Sequence, residues 1–223
     1  MCTLSHQAQA LPVQGGQVVS PEEKTGRQAL ERAHPTRPMR PGLVERPEYE
    51  DIRHGPQTRI AHCEVATGQL LTPSVGPTRT EEAFATPIER TIGAAPDASW
   101  IFIVDRLNIH QSESVVRWVA TQGGIADAWG VQGLSGLLPS MATRAAFLQA
   151  PPHRSRFVYT PKHTSWLTQL ALWCSLLVRR LLKRASCTSV AELRERSLDF
   201  IDYFNRTMAK PFKGTYAGRP LTV

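Results

Sequence analysis

The feature that most constrains the fold is an unbroken apolar run at residues 100–104, Trp-Ile-Phe-Ile-Val, which ends directly in Asp105. A strand with one solvated face alternates polar and apolar residues, so a run without alternation predicts a strand covered on both faces. Such strands lie inside sheets that are packed between helices. We therefore expect residues 100–104 to form the central strand of an α/β domain.

Weaker patterns on both sides of this run predict the remaining elements. Strands are predicted at residues 17–20, 57–66, 69–72 and 156–159, with a hairpin turn at residues 67–68, and helices at residues 80–92, 112–122, 165–184 and 189–205. Residues 34–47 and 123–140 are rich in proline or glycine and are predicted as irregular segments. The order of three strands, helix, strand, helix, strand and helix implies a mixed five-stranded sheet flanked by helices, an α/β fold of the ribonuclease-H type.

Length and composition fit one globular domain. Of 223 residues, 41% are hydrophobic and 20% are charged, which are ordinary values for a folded chain. We expect a disordered tail at residues 1–15, the domain at residues 16–206, and a C-terminal tail at residues 207–223. The longest apolar stretch, roughly residues 166–178, is shorter than the roughly 20 residues that cross a bilayer, and no export signal is visible. These features predict a cytoplasmic protein without membrane contact, whose four scattered cysteines are reduced structural thiols.

Asp105 is the best candidate for a site residue. Burying a carboxylate at the end of an apolar strand is costly unless a cation compensates its charge. In open α/β sheets, ligands gather at the carboxyl ends of the inner strands, so Asp105 is grouped with the nearby Asn108 and His110. The alternative is that Asp105 caps the next turn or helix.

A second carboxylate pair, Glu22 and Glu23, follows the first strand candidate. Magnesium ions that assist phosphoryl transfer need several carboxylates, because oxygen donors satisfy the ion and neutralise charge that repels phosphate. If the first strand lies beside the central one, Asp105 and Glu22 together hold one ion. The alternative interpretation of the glutamate pair is a solvated turn.

Positive charge dominates the second half of the chain. The sequence has 26 Lys and Arg against 19 Asp and Glu, and residues 128–191 contain eight of the basic residues and no acidic one. This composition is typical of a surface that binds a phosphate backbone, although the cluster at residues 179–184 also fits the solvated end of a helix. Trp166 and Trp173 within this stretch are expected to be core residues. The candidate DNA-binding residues are Arg156, Lys162, His163, Arg179, Arg180, Lys183 and Arg184.

From residue 22 to the last residue, the sequence resembles the bacterial DDE transposases of the insertion-sequence 630 type, which are relatives of the mariner-like elements. The resemblance rests on long runs at residues 23–32, 52–55, 159–167 and 200–205, and on Val104 and Asp105 followed by Leu107, Asn108 and His110. It implies a ribonuclease-H-like catalytic domain in which three acidic residues hold two Mg²⁺ or Mn²⁺ ions. In such a domain water cuts the end of the element, and the freed 3′-hydroxyl attacks target DNA.

The family's acidic positions are matched unevenly. The second acid is Asp105, although Arg106 follows it where the family usually has Asn. The first acid, an Asp in the family, corresponds to Glu22, and the third, a Glu, corresponds to Ala171. The resemblance therefore implies a transposase-type domain with impaired DNA cleavage and strand transfer.

The family also carries N-terminal helix-turn-helix modules, and this chain begins close to the first catalytic strand, so we expect a truncated copy. The implied partners are DNA and either a second copy of the chain or an intact transposase. Three alternatives stay open: slow nicking with one metal ion held by Glu22, Glu23 and Asp105, a non-catalytic DNA-binding or transposase-interacting remnant, and a product without a role.

Overall fold

A computed structural model describes residues 8, 10–11, 15–76, 80–125, 129–161, 169–183 and 185–211 of the chain. Its strands are β1 (Gly16–Arg32), β2 (Asp51–Glu64), β3 (Leu70–Gly76), β4 (Ser99–Val104) and β5 (Ser155–Tyr159). Its helices are α1 (Glu81–Gly93), α2 (Glu113–Gln122), α3 (Met141–Gln149), α4 (Gln169–Leu177) and α5 (Val190–Thr207). A 3-10 turn (Asn108–Gln111) precedes α2, and a π-helical turn (Val178–Leu182) continues α4.

The five strands form one mixed sheet in the order β3-β2-β1-β4-β5. The pairs β1–β2 and β2–β3 are antiparallel, whereas β1–β4 and β4–β5 are parallel. With helices on both faces, this is the predicted mixed α/β fold of the ribonuclease-H type. One detail of the prediction is wrong: β4 is an interior strand, but the middle strand of the sheet is β1.

Helices cover the two faces of the sheet with separate cores. On one face, α1, α2 and α3 pack on the sheet around Phe84, Phe102, Val116, Leu148 and Phe157, which are all buried. On the other face, α4 and α5 pack on β2 and β3 through a second cluster. Trp173 of α4 belongs to this second cluster and is only 4% exposed, which confirms its assignment as a core residue. The two helical layers thus cover both faces of β2 and β3, whereas Ile103 of β4 packs on Ala8 and Val18 on the face opposite to Phe102.

β1 and β2 are much longer than their sequence patterns predicted. They pair from Val19 with Glu64 to Arg32 with Asp51, so the ribbon continues past the part of the sheet that helices cover. Gly26 has a φ of +71°, and the register shifts between Lys24 and Arg27. This irregularity and the many exposed polar residues hide the alternation that identifies a strand. Glu22 and Glu23 lie inside β1, so the alternative of a solvated turn is wrong.

Four helices begin at capping residues. Thr80, Ser112, Ser140 and Ser189 each accept a hydrogen bond from a backbone amide in the first turn of their helix. Helix α3 was not predicted from the sequence, because only nine residues define its apolar pattern. The predicted helix at residues 165–184 is seen as α4 and its π-helical continuation, and residues 162–168 and 184 lie outside the described part of the chain.

Cys63, Cys174 and Cys187 are buried free thiols, as predicted. Burial raises the pKa of Cys63 to about 12 and that of Cys174 to about 11, so both thiols stay protonated at neutral pH. Within the N-terminal segment predicted as a disordered tail, Ala8 packs against Val18 and Ile103. No helix in the described ranges is long and apolar enough to cross a membrane.

Candidate functional site

The parallel pairing of β1 and β4 places two carboxylate residues at neighbouring positions. Val19 is the partner of Phe102, and one residue further on the hydroxyl of Ser20 donates to the carbonyl of Ile103 at 3.3 Å. Continuing this register by three positions sets Glu22 beside Asp105. Neighbouring strands lie about 5 Å apart, so both residues belong to the same edge of the sheet.

The Asp105 carboxylate closes the turn that follows β4 and also contacts a histidine. Its Oδ1 accepts a hydrogen bond from the backbone amide of Leu107 at 3.1 Å, so the alternative role as a capping residue is present in the structure. The same oxygen lies 2.8 Å from Nδ1 of His110. Because the Asp105 side chain is still 30% exposed, these contacts orient the carboxylate and leave part of it open to a ligand.

His110 connects the end of β4 to β1. Its Nε2 lies 2.9 Å from Oε1 of Glu23, and the two side chains are only 2% and 3% exposed. Burial lowers the pKa of His110, but the hydrogen bonds to Asp105 and Glu23 outweigh it and raise the pKa to about 9. The ring is therefore an imidazolium whose Nε2–H donates to Glu23 and whose Nδ1–H faces Asp105, with the backbone carbonyl at 3.0 Å and the carboxylate at 2.8 Å. The ring of Phe84 packs against it at a centroid distance of 4.4 Å.

Glu22 and Glu23 are consecutive in β1 and so point to opposite faces of the sheet. Glu23 turns inward to His110, whereas Glu22 lines an open groove of about 680 Å³ between β1 and α4. Ala171 lies in α4, one helical turn before Cys174 and Ser175, which also line this groove. The full lining is Glu22, Lys24, Arg27, Cys174, Ser175, Val178 and Arg179.

The predicted DNA-binding residues that the structure describes lie on strand β5 and on the π-helical turn and the residue after it. Arg179 lines the groove beside Glu22 and also a neighbouring groove of about 940 Å³, which Lys183 lines as well. Arg180 is exposed on the same π-helical turn. Arg156 is the partner of Ile101 near the start of β4, so it lies about 13 Å along the strand from Asp105. Lys162, His163 and Arg184 lie outside the described residues.

The carboxylates at this edge do not make a complete metal cage. Within the described ranges, no group of three or more His, Cys, Asp and Glu side chains is placed to hold a metal ion. Glu23 is committed to His110, and Ala171 carries no oxygen in its side chain. Asp105 and Glu22 are the other two carboxylate residues at this edge.

Sequence reasoning missed three basic residues near Glu22. Lys24 and Arg27 line the groove, and Arg59 of β2 lies beneath it, beside a small cavity that the three residues share. Lys24 and Arg27 follow Glu22 within five residues, and this proximity in sequence could have identified them. The sequence around Arg59 gave no such signal, because the burial of this residue depends on helices that come more than a hundred residues later in the chain.

The sheet order, with carboxylates where β1 and β4 run side by side, defines a domain of the ribonuclease-H-like class. Residues 24–194 match the family described as DDE superfamily endonuclease, and the chain belongs to this family. No curated protein matches the chain.

Two solved structures are similar in fold. The Mos1 mariner paired-end complex with Mn is 10% identical with a TM-score of 0.47, over 91% of this chain and 56% of that one. The Mos1 transposase paired-end complex with the left transposon end is 13% identical with a TM-score of 0.42, over 94% of this chain and 53% of that one. The chain thus spans about half the length of these structures.

Proposed function

We propose that this chain is a transposase-type endonuclease domain of the insertion-sequence 630 kind, which binds DNA and is impaired in cutting it. The observation that supports the proposal is the β1–β4 register, whose continuation past Val19 and Phe102 brings Glu22 of β1 beside Asp105, the residue that follows β4. The helix that borders the groove contributes Ala171 where the family motif has a glutamate. Membership of the DDE superfamily endonucleases supports DNA as the substrate class.

Asp105 and Glu22 fit one Mg²⁺ or Mn²⁺ ion. Mg²⁺ is commonly held by one or two carboxylates, with water and phosphate oxygens completing its coordination, and the exposed part of Asp105 and the open groove at Glu22 allow this. A divalent ion bound there supplies neutralisation of the charge that develops on a phosphodiester. The proposal assigns His110 the task of orienting Asp105, since its ring donates to that carboxylate from a buried, fixed position.

Two departures from the family pattern are expected to impair cleavage. Ala171 removes one carboxylate, and Glu22 is one carbon longer than aspartate, which displaces any ion that it holds. Catalysis that depends on positioned ions loses about a hundredfold for a displacement of about 1 Å. Glu23 does not compensate, because its carboxylate is buried on the opposite face in contact with His110.

The test is nicking of supercoiled plasmid in Mg²⁺ or Mn²⁺. Wild-type activity is expected to lie close to that of Asp105→Ala, whereas the double variant Glu22→Asp/Ala171→Glu is expected to gain about a hundredfold. Adding Asp105→Ala to the double variant supplies the matched control and is expected to remove the gain. A double variant that nicks no faster than wild type contradicts the proposal.

A non-catalytic DNA-binding role is the second candidate, and the basic lining of the two grooves favours it. Arg27, Arg179 and Lys183 are placed to contact phosphates. Binding through phosphates releases counterions, so the affinity for random duplex DNA should fall steeply as salt rises. An affinity that does not change with salt contradicts both candidate functions. Binding without any nicking by the double variant favours this second one.

A further inference from the structure

None of the described residues places a counter-charge at the buried guanidinium of Arg59. The residue is 4% exposed, and Nη2 donates to the Ser197 hydroxyl at 2.9 Å. Nε and Nη1 are buried and have no hydrogen-bond partner in the part of the chain that the structure describes. A buried charge with unsatisfied donors costs several kcal/mol, so such a group usually faces an anion. We therefore expect the guanidinium of Arg59 to face an anion.

The residues around Arg59 add positive charge. Lys24 is its direct partner across the β1–β2 pair, where like charges destabilise the sheet. Burial and the nearby charge of Arg27 lower the pKa of Arg59 to about 10, which still leaves it charged at neutral pH. The thiol of Cys174 is also close, but it is protonated and gives no negative charge. Lys24, Arg27 and Arg59 thus place three cations close together.

A cavity connects Arg59 to the groove described above. It has a volume of about 10 Å³ and is lined by Lys24, Arg27 and Arg59 together with Trp173 and Cys174. Lys24, Arg27 and Cys174 also line the groove of about 680 Å³. The cavity is lined almost entirely by apolar atoms and is too small for an anion, so an anion is expected in the groove beside it.

We propose that Lys24, Arg27 and Arg59 form a binding site for a phosphate group, which sits in the groove beside Lys24 and Arg27 and is attracted by the buried charge of Arg59. Glu22 also lines this groove and lies two residues before Lys24, about 7 Å along β1. The negative charge of its carboxylate repels a phosphate, so the phosphate is expected to bind at the end of the groove that Lys24 lines. Identifying the phosphate as part of a DNA backbone rests on the proposed function, whereas the site itself does not.

The site is tested with inorganic phosphate and the whole chain. Thermal unfolding is followed as phosphate replaces sodium chloride at constant ionic strength. The wild type is expected to show a saturable rise in Tm, as a ligand of the native state produces. Arg59→Met is expected to need about tenfold more phosphate for the same rise, because a desolvated charge is weakly screened. Arg53→Met removes an exposed arginine from the same strand and should respond as the wild type does.

The same variants separate the site from a merely structural role for Arg59. Replacing an uncompensated buried charge by an apolar side chain of similar length should leave the Tm in chloride equal to or above the wild-type value. Two results overturn the proposal: equal phosphate responses of the wild type and Arg59→Met, or no phosphate response of the wild type. Lys24→Met provides a second variant at an exposed position, and it should also weaken the response.

A DNA-binding measurement distinguishes this proposal from the proposed function. Anisotropy with a random duplex is expected to show about tenfold weaker binding for Arg59→Met and none of this loss for Arg53→Met. A phosphate response that depends on Arg59, in a chain that does not bind DNA, supports the site and contradicts the proposed function. DNA binding that Arg59→Met leaves unchanged, without a phosphate response, contradicts the site and leaves the proposed function standing.

Discussion

The imidazole of His110 lies 2.9 Å from the carboxylate of Glu23, and both side chains are almost completely buried. The same ring lies 2.8 Å from the carboxylate of Asp105, so one charged histidine connects β1 to the end of β4. Consecutive glutamates in β1 therefore have different tasks. Glu23 stabilises His110, which orients Asp105. Glu22 faces the groove in which a ligand is expected.

Glu23→Gln is predicted to destabilise the fold by about 2–4 kcal/mol, because it removes one of the two carboxylates that compensate a buried imidazolium. The measurement is urea unfolding at pH 7. Glu22→Gln is the matched control, since it makes the same chemical change one residue away at a half-buried position in the groove. It is predicted to cost less than about 1 kcal/mol. Equal costs for the two substitutions contradict the roles assigned to the glutamates.

His62 is predicted to make stability depend on pH. It is fully buried, and burial lowers its pKa from 6.5 to about 3, so it is neutral in the folded chain. The unfolded chain takes up a proton below about pH 6.5, and stability should therefore fall as pH falls, by about 1.4 kcal/mol per unit between pH 6 and 4.

The test of this dependence is urea unfolding of wild type and His62→Leu at several pH values. Between pH 6 and 4, the unfolding free energy of the variant should fall less steeply than that of the wild type, by about 1.4 kcal/mol per pH unit. Between pH 7.5 and 8.5 the two slopes should agree, because His62 is neutral in both states there. A variant that keeps the full acid slope contradicts the assignment. The substitution also removes the 2.9 Å contact between His62 Nδ1 and the hydroxyl of Thr91, so slopes and not absolute stabilities are compared.

Phe102→Ala is predicted to cost about 3–5 kcal/mol, because the removed ring leaves a cavity in the core between the sheet and its helices. The Phe102 side chain is 0% exposed, and its ring stacks on that of Phe157 at a centroid distance of 5.2 Å. Leu134→Ala, at a residue that is 79% exposed, is the control and should change stability by less than about 0.5 kcal/mol. A small effect of Phe102→Ala contradicts the placement of this ring in the core between the sheet and helices α1, α2 and α3.

The fold was largely predictable because its strongest signals are local. The apolar run of β4, the hairpin of β2 and β3, and the capping residues of α1 and α5 are each read from adjacent residues. β1 was underestimated because its middle carries charged side chains that face a groove and a buried histidine. These environments are created by residues far along the chain, such as His110 and Cys174. The local sequence of β1 therefore does not indicate them.

The site was predictable only in part for the same reason. Asp105 follows a run that marks a buried strand, so its position at a sheet edge could be inferred. The distinction between Glu22 and Glu23 depends on which face of β1 each one occupies, and this requires the register with β2 and β4. Arg59 lies between Thr58 and Ile60 in sequence, and its burial becomes evident only once α5 brings Ser197 against it.

Calorimetric titration with Mn²⁺ tests the central claim most directly, namely that Asp105 and Glu22 are what is left of a larger metal cage. Wild type is predicted to bind one ion at most, and Asp105→Asn is predicted to abolish this binding. Glu22→Asp/Ala171→Glu is predicted to bind a second ion. Two ions bound by the wild type, or binding that Asp105→Asn leaves unchanged, contradict the claim.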